Sequence, residues 1–238
     1  EGDNAIAWYE NLGDTDDDGD LDWTAADIAT SAENASYVFA ADIDNDGDID
    51  IVSASAGDNT IAWYENLGDT DDDGDLDWSA ADIATSAEGA RSVFVEDMDN
   101  DGDMDILSAS EEDNTIAWYE NDNSDSGWTA ADIATSAEGA NSVFAADMDN
   151  DGDMDIVSAS SSDDTIAWYE SNGNTNPSWT PADIDTNADG AKAVFVADMD
   201  NDGDRDIVSV SGSDNTTAWY ENDGNANPSW SAADIATS

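Results

Sequence analysis

The chain has no cysteine and no histidine in 238 residues, and its only cations are Arg91, Lys192 and Arg205. These absences exclude disulfides, Cys/His zinc sites, thiol catalysis and any Ser-His-Asp relay. They leave the compartment open, because a secreted protein can be stabilised by metal instead of disulfides. Three basic residues face 60 acidic ones, a net charge of -57, so phosphate backbones and anionic bilayers repel this surface. Its natural partners are cations, neutral sugars or basic proteins. No apolar run approaches the roughly 18 residues of a membrane span. The sequence starts at Glu1, with neither Met nor a signal-like segment, which reads as a processed or trimmed soluble product.

Large aliphatic residues are also scarce. Leu, Ile, Val and Phe together make 34 of the 238 residues, below the roughly 20% that signals disorder in a highly charged chain. The 10 Trp and 6 Tyr argue the other way, because they recur at fixed intervals in fixed contexts. The segment IAWYEN, or a near copy, places Trp at 8, 63, 118, 168 and 219, a period that signals a repeat architecture.

Each unit reads as four short strands: an apolar run such as Val93-Phe94-Val95, an Asp-rich turn, a run such as Asp105-Ile106-Leu107-Ser108, the Trp-Tyr run, a polar loop, and ADIATS or a variant. The runs are too short for helices and are bounded by Gly, Asn and Asp turn signals. In TIAWYE, Ile61 and Trp63 share one face while Ala62 and Tyr64 share the other, so the strand needs cover on both sides. Four-stranded sheets of about 40 to 50 residues, each covered by its neighbours, describe the blades of a β-propeller. A linear β-solenoid is the alternative, with repeats that are usually shorter and poorer in aromatics.

The expected fold is therefore all-β: a propeller of four-stranded antiparallel blades, with four full blades at 34–88, 89–138, 139–189 and 190–238 and a half blade at 1–33. The first run and its Asp turn occur four times, whereas the Trp-Tyr run and ADIATS occur five times. Three arrangements fit: a five-bladed ring with a degenerate first blade, part of a larger ring, or a chain completed by a neighbouring subunit.

The Asp-rich turns carry the chemistry. ADIDNDGDIDI at 41–51, EDMDNDGDMDI at 96–106, ADMDNDGDMDI at 146–156 and ADMDNDGDRDI at 197–207 each contain D-x-D-x-D-G-x-x-D. Such oxygen-rich loops suit Ca²⁺, which takes about 6 to 8 oxygens and tolerates irregular geometry. In the first window Asp42, Asp44 and Asp46 supply carboxylates at loop positions one, three and five, and Gly47 permits the sharp turn. The Asp48 carbonyl points inward at position seven, and the Asp50 carboxylate completes the shell at position nine.

The corresponding residues are Asp97, Asp99, Asp101, Asp103 and Asp105; Asp147, Asp149, Asp151, Asp153 and Asp155; and Asp198, Asp200, Asp202, Asp204 and Asp206. Position twelve is Ser53, where a helix-flanked EF-hand needs a bidentate Glu. Mg²⁺ prefers a more hydrated octahedral shell, and transition metals want nitrogen or sulfur. Two further windows match in the loop before the last strand: Asp14, Asp16, Asp18, Asp20 and Asp22, and Asp69, Asp71, Asp73, Asp75 and Asp77. The equivalent later loops NDNSDSG, SNGNTNPS and NDGNANPS lack the pattern, so the architecture does not require a metal there. Four calcium ions are expected, and up to six.

A solvated acidic face, as in a salt-adapted protein, is the bland alternative. Distribution decides against it as the whole account. The six windows hold 32 of the 48 Asp residues in register with the repeat, and Glu numbers only 12. Two carboxylates about 5 Å apart repel by roughly 3 kcal/mol at an effective dielectric near 20, so an empty loop tends to open and ion binding contributes to folding.

The combination of D-x-D-x-D-G-x-x-D-I-V, a following W-Y-E-N strand and a period near 50 residues resembles the FG-GAP/VCBS-type repeats of calcium-binding β-propellers, over essentially the whole chain. The Phe-Gly and Gly-Ala-Pro signatures are absent, so the sequence is nearer the VCBS variant. Integrin α-subunit heads and some fungal and bacterial lectins and adhesins use similar blades. The resemblance implies calcium in the loop joining each blade's first two strands, at 42–50, 97–105, 147–155 and 198–206.

The function expected from it is an extracellular or cell-surface calcium-binding module serving adhesion, scaffolding or surface structure. A carbohydrate-binding lectin is the alternative, with a polysaccharide-active enzyme behind it. Catalysis needs an acid and a base in distinct environments, whereas nearly every Asp here has copies in other blades. No enzyme activity and no catalytic residue are therefore expected. Partners are calcium, glycans or other surface proteins, and further copies of the chain joined through the half blade. Trp63 and its equivalents are expected in the core, and Trp78 and its equivalents between blades.

Overall fold

A computed structural model of the chain describes residues 4–72, 74–122 and 127–237. They form eighteen strands and no helix, so no described helix is long and apolar enough to cross a membrane. The first two strands, β1 (Ile6–Gly13) and β2 (Asp22–Ala29), form a two-stranded sheet. Four four-stranded sheets follow. The first holds β3 (Ala35–Ala41), β4 (Asp50–Ser55), β5 (Thr60–Asn66) and β6 (Trp78–Ala84). The second holds β7 (Ala90–Glu96), β8 (Asp105–Ser110), β9 (Thr115–Asn121) and β10 (Trp128–Ala134). The third holds β11 (Ala140–Ala146), β12 (Asp155–Ser160), β13 (Thr165–Ser171) and β14 (Trp179–Asp185). The fourth holds β15 (Ala191–Ala197), β16 (Asp206–Ser211), β17 (Thr216–Asn222) and β18 (Trp230–Thr237).

Every sheet is an antiparallel meander in chain order. Each four-stranded sheet carries a register shift in its first strand, such as that between Ala35 and Tyr37, which bends the strand and increases its twist. The all-β repeat architecture is as the sequence predicts. No sheet closes on itself, and the structure does not show a closed ring.

The apolar residues do not form one core. They form four, each between consecutive sheets. Alternation along the third strand explains this arrangement. Ile116 and Trp118 of β9 enter the core shared with the following sheet, while Ala117 and Tyr119 enter the core shared with the preceding one. The same division holds for Ile166 and Trp168 against Ala167 and Tyr169 in β13. A strand of only seven residues thus serves two interfaces, which is how a chain poor in aliphatics buries enough surface.

The tryptophans complete these interfaces. Trp63 meets Trp128, Trp118 meets Trp179 and Trp168 meets Trp230 edge to face, at centroid separations of 6.3, 5.2 and 6.3 Å. Each pair joins a third strand to the last strand of the next sheet, the inter-blade role expected of the last-strand residues. The first strands stack Phe39, Phe94, Phe144 and Phe195 in one continuous row.

Candidate metal centre

The hairpin between the first and second strands of each full sheet is the Asp loop. Its backbone reverses through two left-handed residues, Asn45 (φ 60°) and Gly47 (φ 99°) in the first copy. Asn tolerates this region and Gly is unrestricted in it. The same pair recurs at Asn100 and Gly102, Asn150 and Gly152, and Asn201 and Gly203. Asp17 and Gly19, and Asp72 and Gly74, adopt it in the loops before β2 and β6. Six loops therefore share this left-handed pair.

This turn gathers the carboxylates at positions one, three and five. In Asp42/Asp44/Asp46, Asp97/Asp99/Asp101, Asp147/Asp149/Asp151, Asp198/Asp200/Asp202 and Asp14/Asp16/Asp18, one oxygen from each residue lies within 4.8 Å of the others. Of the remaining loop, Asp69 receives the Gly74 amide at 3.0 Å, while Asp73 lies outside the described residues. The same carboxylates organise the loop. Gly102 N–H donates to Asp97 Oδ2 at 3.0 Å, Asp101 N–H to Asp99 Oδ1 at 3.3 Å and Asp103 N–H to Asp101 Oδ1 at 2.9 Å.

In two copies position seven meets the preceding unit. Asn100 Nδ2 donates to Asp153 Oδ1 at 3.4 Å, and Asn150 Nδ2 to Asp204 Oδ1 at 2.9 Å, each from the preceding sheet's loop. The amides of Asp48 and Asp20 donate to Asp46 Oδ1 and Asp18 Oδ1, both at 2.9 Å.

Position nine has a role that the sequence reading did not find. Asp50, Asp105, Asp155 and Asp206 are fully buried at the root of the sheet. Asp105 Oδ2 accepts the Met98 amide at 3.1 Å and its Oδ1 accepts the Asn121 amide at 2.8 Å. The other three copies make the same two bonds, to Ile43 and Asn66, Met148 and Ser171, and Met199 and Asn222. This carboxylate clamps the Asp loop to the end of the third strand. The signal was present in the sequence, since Asp opens the second strand in every copy immediately before Ile.

The electrostatics follow burial. Asp105 and Asp155 are pushed up to about 7, first by burial. Asp149 is pushed up to about 6 by burial and then by the Asp151 charge. Asp44 and Asp99 are raised, again first by burial. Position nine of the other two loops behaves in the opposite way. Asp22 and Asp77 are held below the usual carboxylate range by the hydroxyls of Thr15 and Thr70, and then by their amides.

The described residues fit a hard divalent cation. The donor set is entirely oxygen, three carboxylates converge in five of the loops, and burial raises the cost of charge at Asp44, Asp99 and Asp149. Asp42 Oδ1 and Asp198 Oδ1 are moreover buried without a hydrogen-bond partner, a costly state for a carboxylate oxygen unless something positive satisfies it.

A family profile described as FG-GAP-like repeat matches residues 42–108, 97–158 and 147–209. The chain belongs to the FG-GAP-like repeat family. Each matched stretch begins on the first Asp of one loop and runs into the next sheet. No curated protein matches the chain.

Among solved structures, a proposed 6-phosphogluconolactonase from Bacteroides uniformis is similar at 14% identity and a TM-score of 0.55, over 98% of this chain and 68% of that one. The rhamnogalacturonan lyases YesW and YesX are similar at 15% identity each, with TM-scores of 0.46 and 0.45, over 86% and 75% of this chain. The chain spans 49% and 39% of their lengths.

The similarity to the Bacteroides uniformis protein overturns the expectation that the chain is not an enzyme. That expectation took repetition itself as an argument against catalysis. The similarity to the Bacteroides uniformis protein shows that a repeated-sheet fold of this kind also occurs in a chain described as a lactonase. The fold by itself therefore does not exclude activity.

Proposed function

We propose that this FG-GAP-like chain is a calcium-binding repeat module of a secreted or cell-surface protein, serving adhesion, scaffolding or surface structure. Asp42, Asp44 and Asp46, with their equivalents in the other three sheets, would hold one Ca²⁺ per loop. The carrying observation is the recurrence of one converged triplet, on one backbone conformation, at the same corner of four successive sheets. A cation there supplies charge neutralisation between carboxylates that otherwise repel by about 3 kcal/mol per pair. Carboxylate oxygens that already accept one N–H keep a further lone pair for it. Sites of modest affinity load best where calcium is near millimolar, which favours an extracellular setting.

Thermal unfolding tests the reading. Excess EGTA should lower the melting temperature by well over 10 °C, and millimolar Ca²⁺ should restore it while equal Mg²⁺ does not. A melting curve indifferent to EGTA counts against calcium.

A second reading, carbohydrate binding, is supported by a separate feature. Two equivalent cavities of about 480 and 450 Å³ are lined by Tyr119, Asp113, Asp132 and Thr115, and by Tyr169, Asp163, Asp183 and Thr165. Each combines an aromatic edge with hydroxyls and carboxylates, the mixture that neutral sugars take up. Repetition of weak sites at fixed spacing gives avidity. A glycan array with full-length protein tests it, and uniform absence of binding removes it.

A further inference from the structure

The strand β1 has the sequence of β5, IAWYEN, but among the described residues no counterpart of β4 lies beside it. In the first full sheet β4 covers that edge, with Ile51 opposite Tyr64, Val52 opposite Trp63, Ser53 opposite Ala62 and Ala54 opposite Ile61. In β1 the same edge is open, because its sheet contains only β1 and β2. The side chains register the difference. Tyr9 is 62% exposed, whereas Tyr64 and Tyr119 are 5% exposed; Trp8 is 38% exposed, whereas Trp118 is 3%.

The neighbouring first strand is uncovered at the same place. Val38 of β3 is 50% exposed, whereas its equivalents Val93, Val143 and Val194 are buried at 0, 3 and 7%. Val93 shares one core with Val52 and Ala54 of the preceding sheet's second strand, and among the described residues β1–β2 has no such strand to offer Val38. Two cavities of about 550 and 540 Å³ mark the gap, and Ile6, Ala7 and Val38 line both.

We propose that the open edge of β1 and the uncovered face of β3 form an acceptor for an added two-stranded hairpin of this same repeat, an apolar V-F strand, an Asp loop and a D-I-V-S-A-S strand. The chain's own repeats show the bound state. The D-I-V-S-A-S strand pairs antiparallel to β1, with its Ile opposite Tyr9 and its Val opposite Trp8, and its other face covers Val38. The loop of the incoming hairpin reaches Asp48 as Asn150 reaches Asp204. Backbone pairing supplies affinity and the alternate apolar side chains supply register, as in strand addition to a sheet edge. An intact second copy is not the occupant, since each of its four hairpins of this type is already paired with a third strand of its own sheet.

The test appends residues 139–160 ahead of the full chain through a flexible Gly/Ser linker, with a composition-matched scrambled segment as control, in millimolar calcium. Amide hydrogen exchange at residues 6–9 should slow at least tenfold with the native segment relative to the scrambled one. Val38→Asp in the fused chain should abolish that protection. Val38 is already exposed, so the same substitution in the unfused chain should leave its melting temperature unchanged. Equal exchange in the native and scrambled fusions overturns the proposal. So does an unfused chain already protected at residues 6–9 through a concentration-dependent dimer, which would make a second copy the occupant.

Discussion

The Asp loops of the sheet roots and the Asp loops before β2 and β6 share their motif and backbone but differ in environment. Asp97, Asp99 and Asp101 converge as Asp14, Asp16 and Asp18 do. At position nine the two kinds part. Asp105 is buried and holds two strands together through backbone amides, whereas Asp22 lies near the surface and staples its own loop through Thr15 N–H at 2.8 Å. The later sheets confirm that the second kind is dispensable to the hairpin. There Asn172 and Asp223 close the same connection by accepting the amides of Ser178 and Ser229 at 3.2 and 3.1 Å. One motif thus does two jobs, and burial separates them.

The sharpest way to break this comparison is to remove position nine in both places. Asp105→Ala strands two amides at a buried corner and should cost about 3 kcal/mol, read as a lowered midpoint in urea. Asp22→Ala should leave the midpoint within the reproducibility of the measurement. Equal losses would mean that motif, not burial, sets the role.

Next in size is the calcium-dependent part of stability. Asp149→Asn should remove a large share of the melting-temperature rise that Ca²⁺ produces, because the triplet beside Asp155 is tied to a buried root. Asp16→Asn should remove little of it, because its loop sits on an exposed hairpin.

A smaller effect, with a definite sign, comes from pH. In the metal-free chain Asp105 and Asp155 titrate near 7 and Asp149 near 6, against about 4 when unfolded. The folded state therefore binds more protons between those values. The stability these groups contribute is fully present below about pH 4 and is lost as pH rises through about 7. The EGTA-treated protein should melt higher at pH 5 than at pH 8. Calcium binding should release more protons at pH 6 than at pH 8, as calorimetry in buffers of different ionisation enthalpy would read.

Much of this was legible in the sequence because the repeat presents each pattern several times. The four strands per unit, the double-sided β5 and the packing of the last-strand tryptophans between sheets follow from apolar alternation and period. The triplet at positions one, three and five follows from spacing alone, since the Asn-x-Gly reversal brings alternate residues together. What spacing could not reveal was direction. Asp50 and its equivalents read as further ligands in a line of alternating Asp, and only the fold shows that the third strand's end lies beneath them. Asp58, Asp113 and Asp163, in the turn before the third strand, were passed over although each recurs ahead of T-I-A-W-Y-E. Each accepts an amide from the preceding inter-sheet turn at Glu33, Glu88 or Glu138, a long-range contact with no local sequence signature. Repetition of the Asp residues does not exclude catalysis, because strands and loops repeat while the surfaces they build together need not.

The most direct test of the central claim is to count the calcium ions bound by the metal-stripped full chain in equilibrium dialysis at millimolar free calcium. At least four per chain are expected, falling by one when Asp44, Asp99, Asp149 or Asp200 is singly replaced by Asn. Fewer than one ion per chain, or a count that none of these substitutions changes, would contradict it.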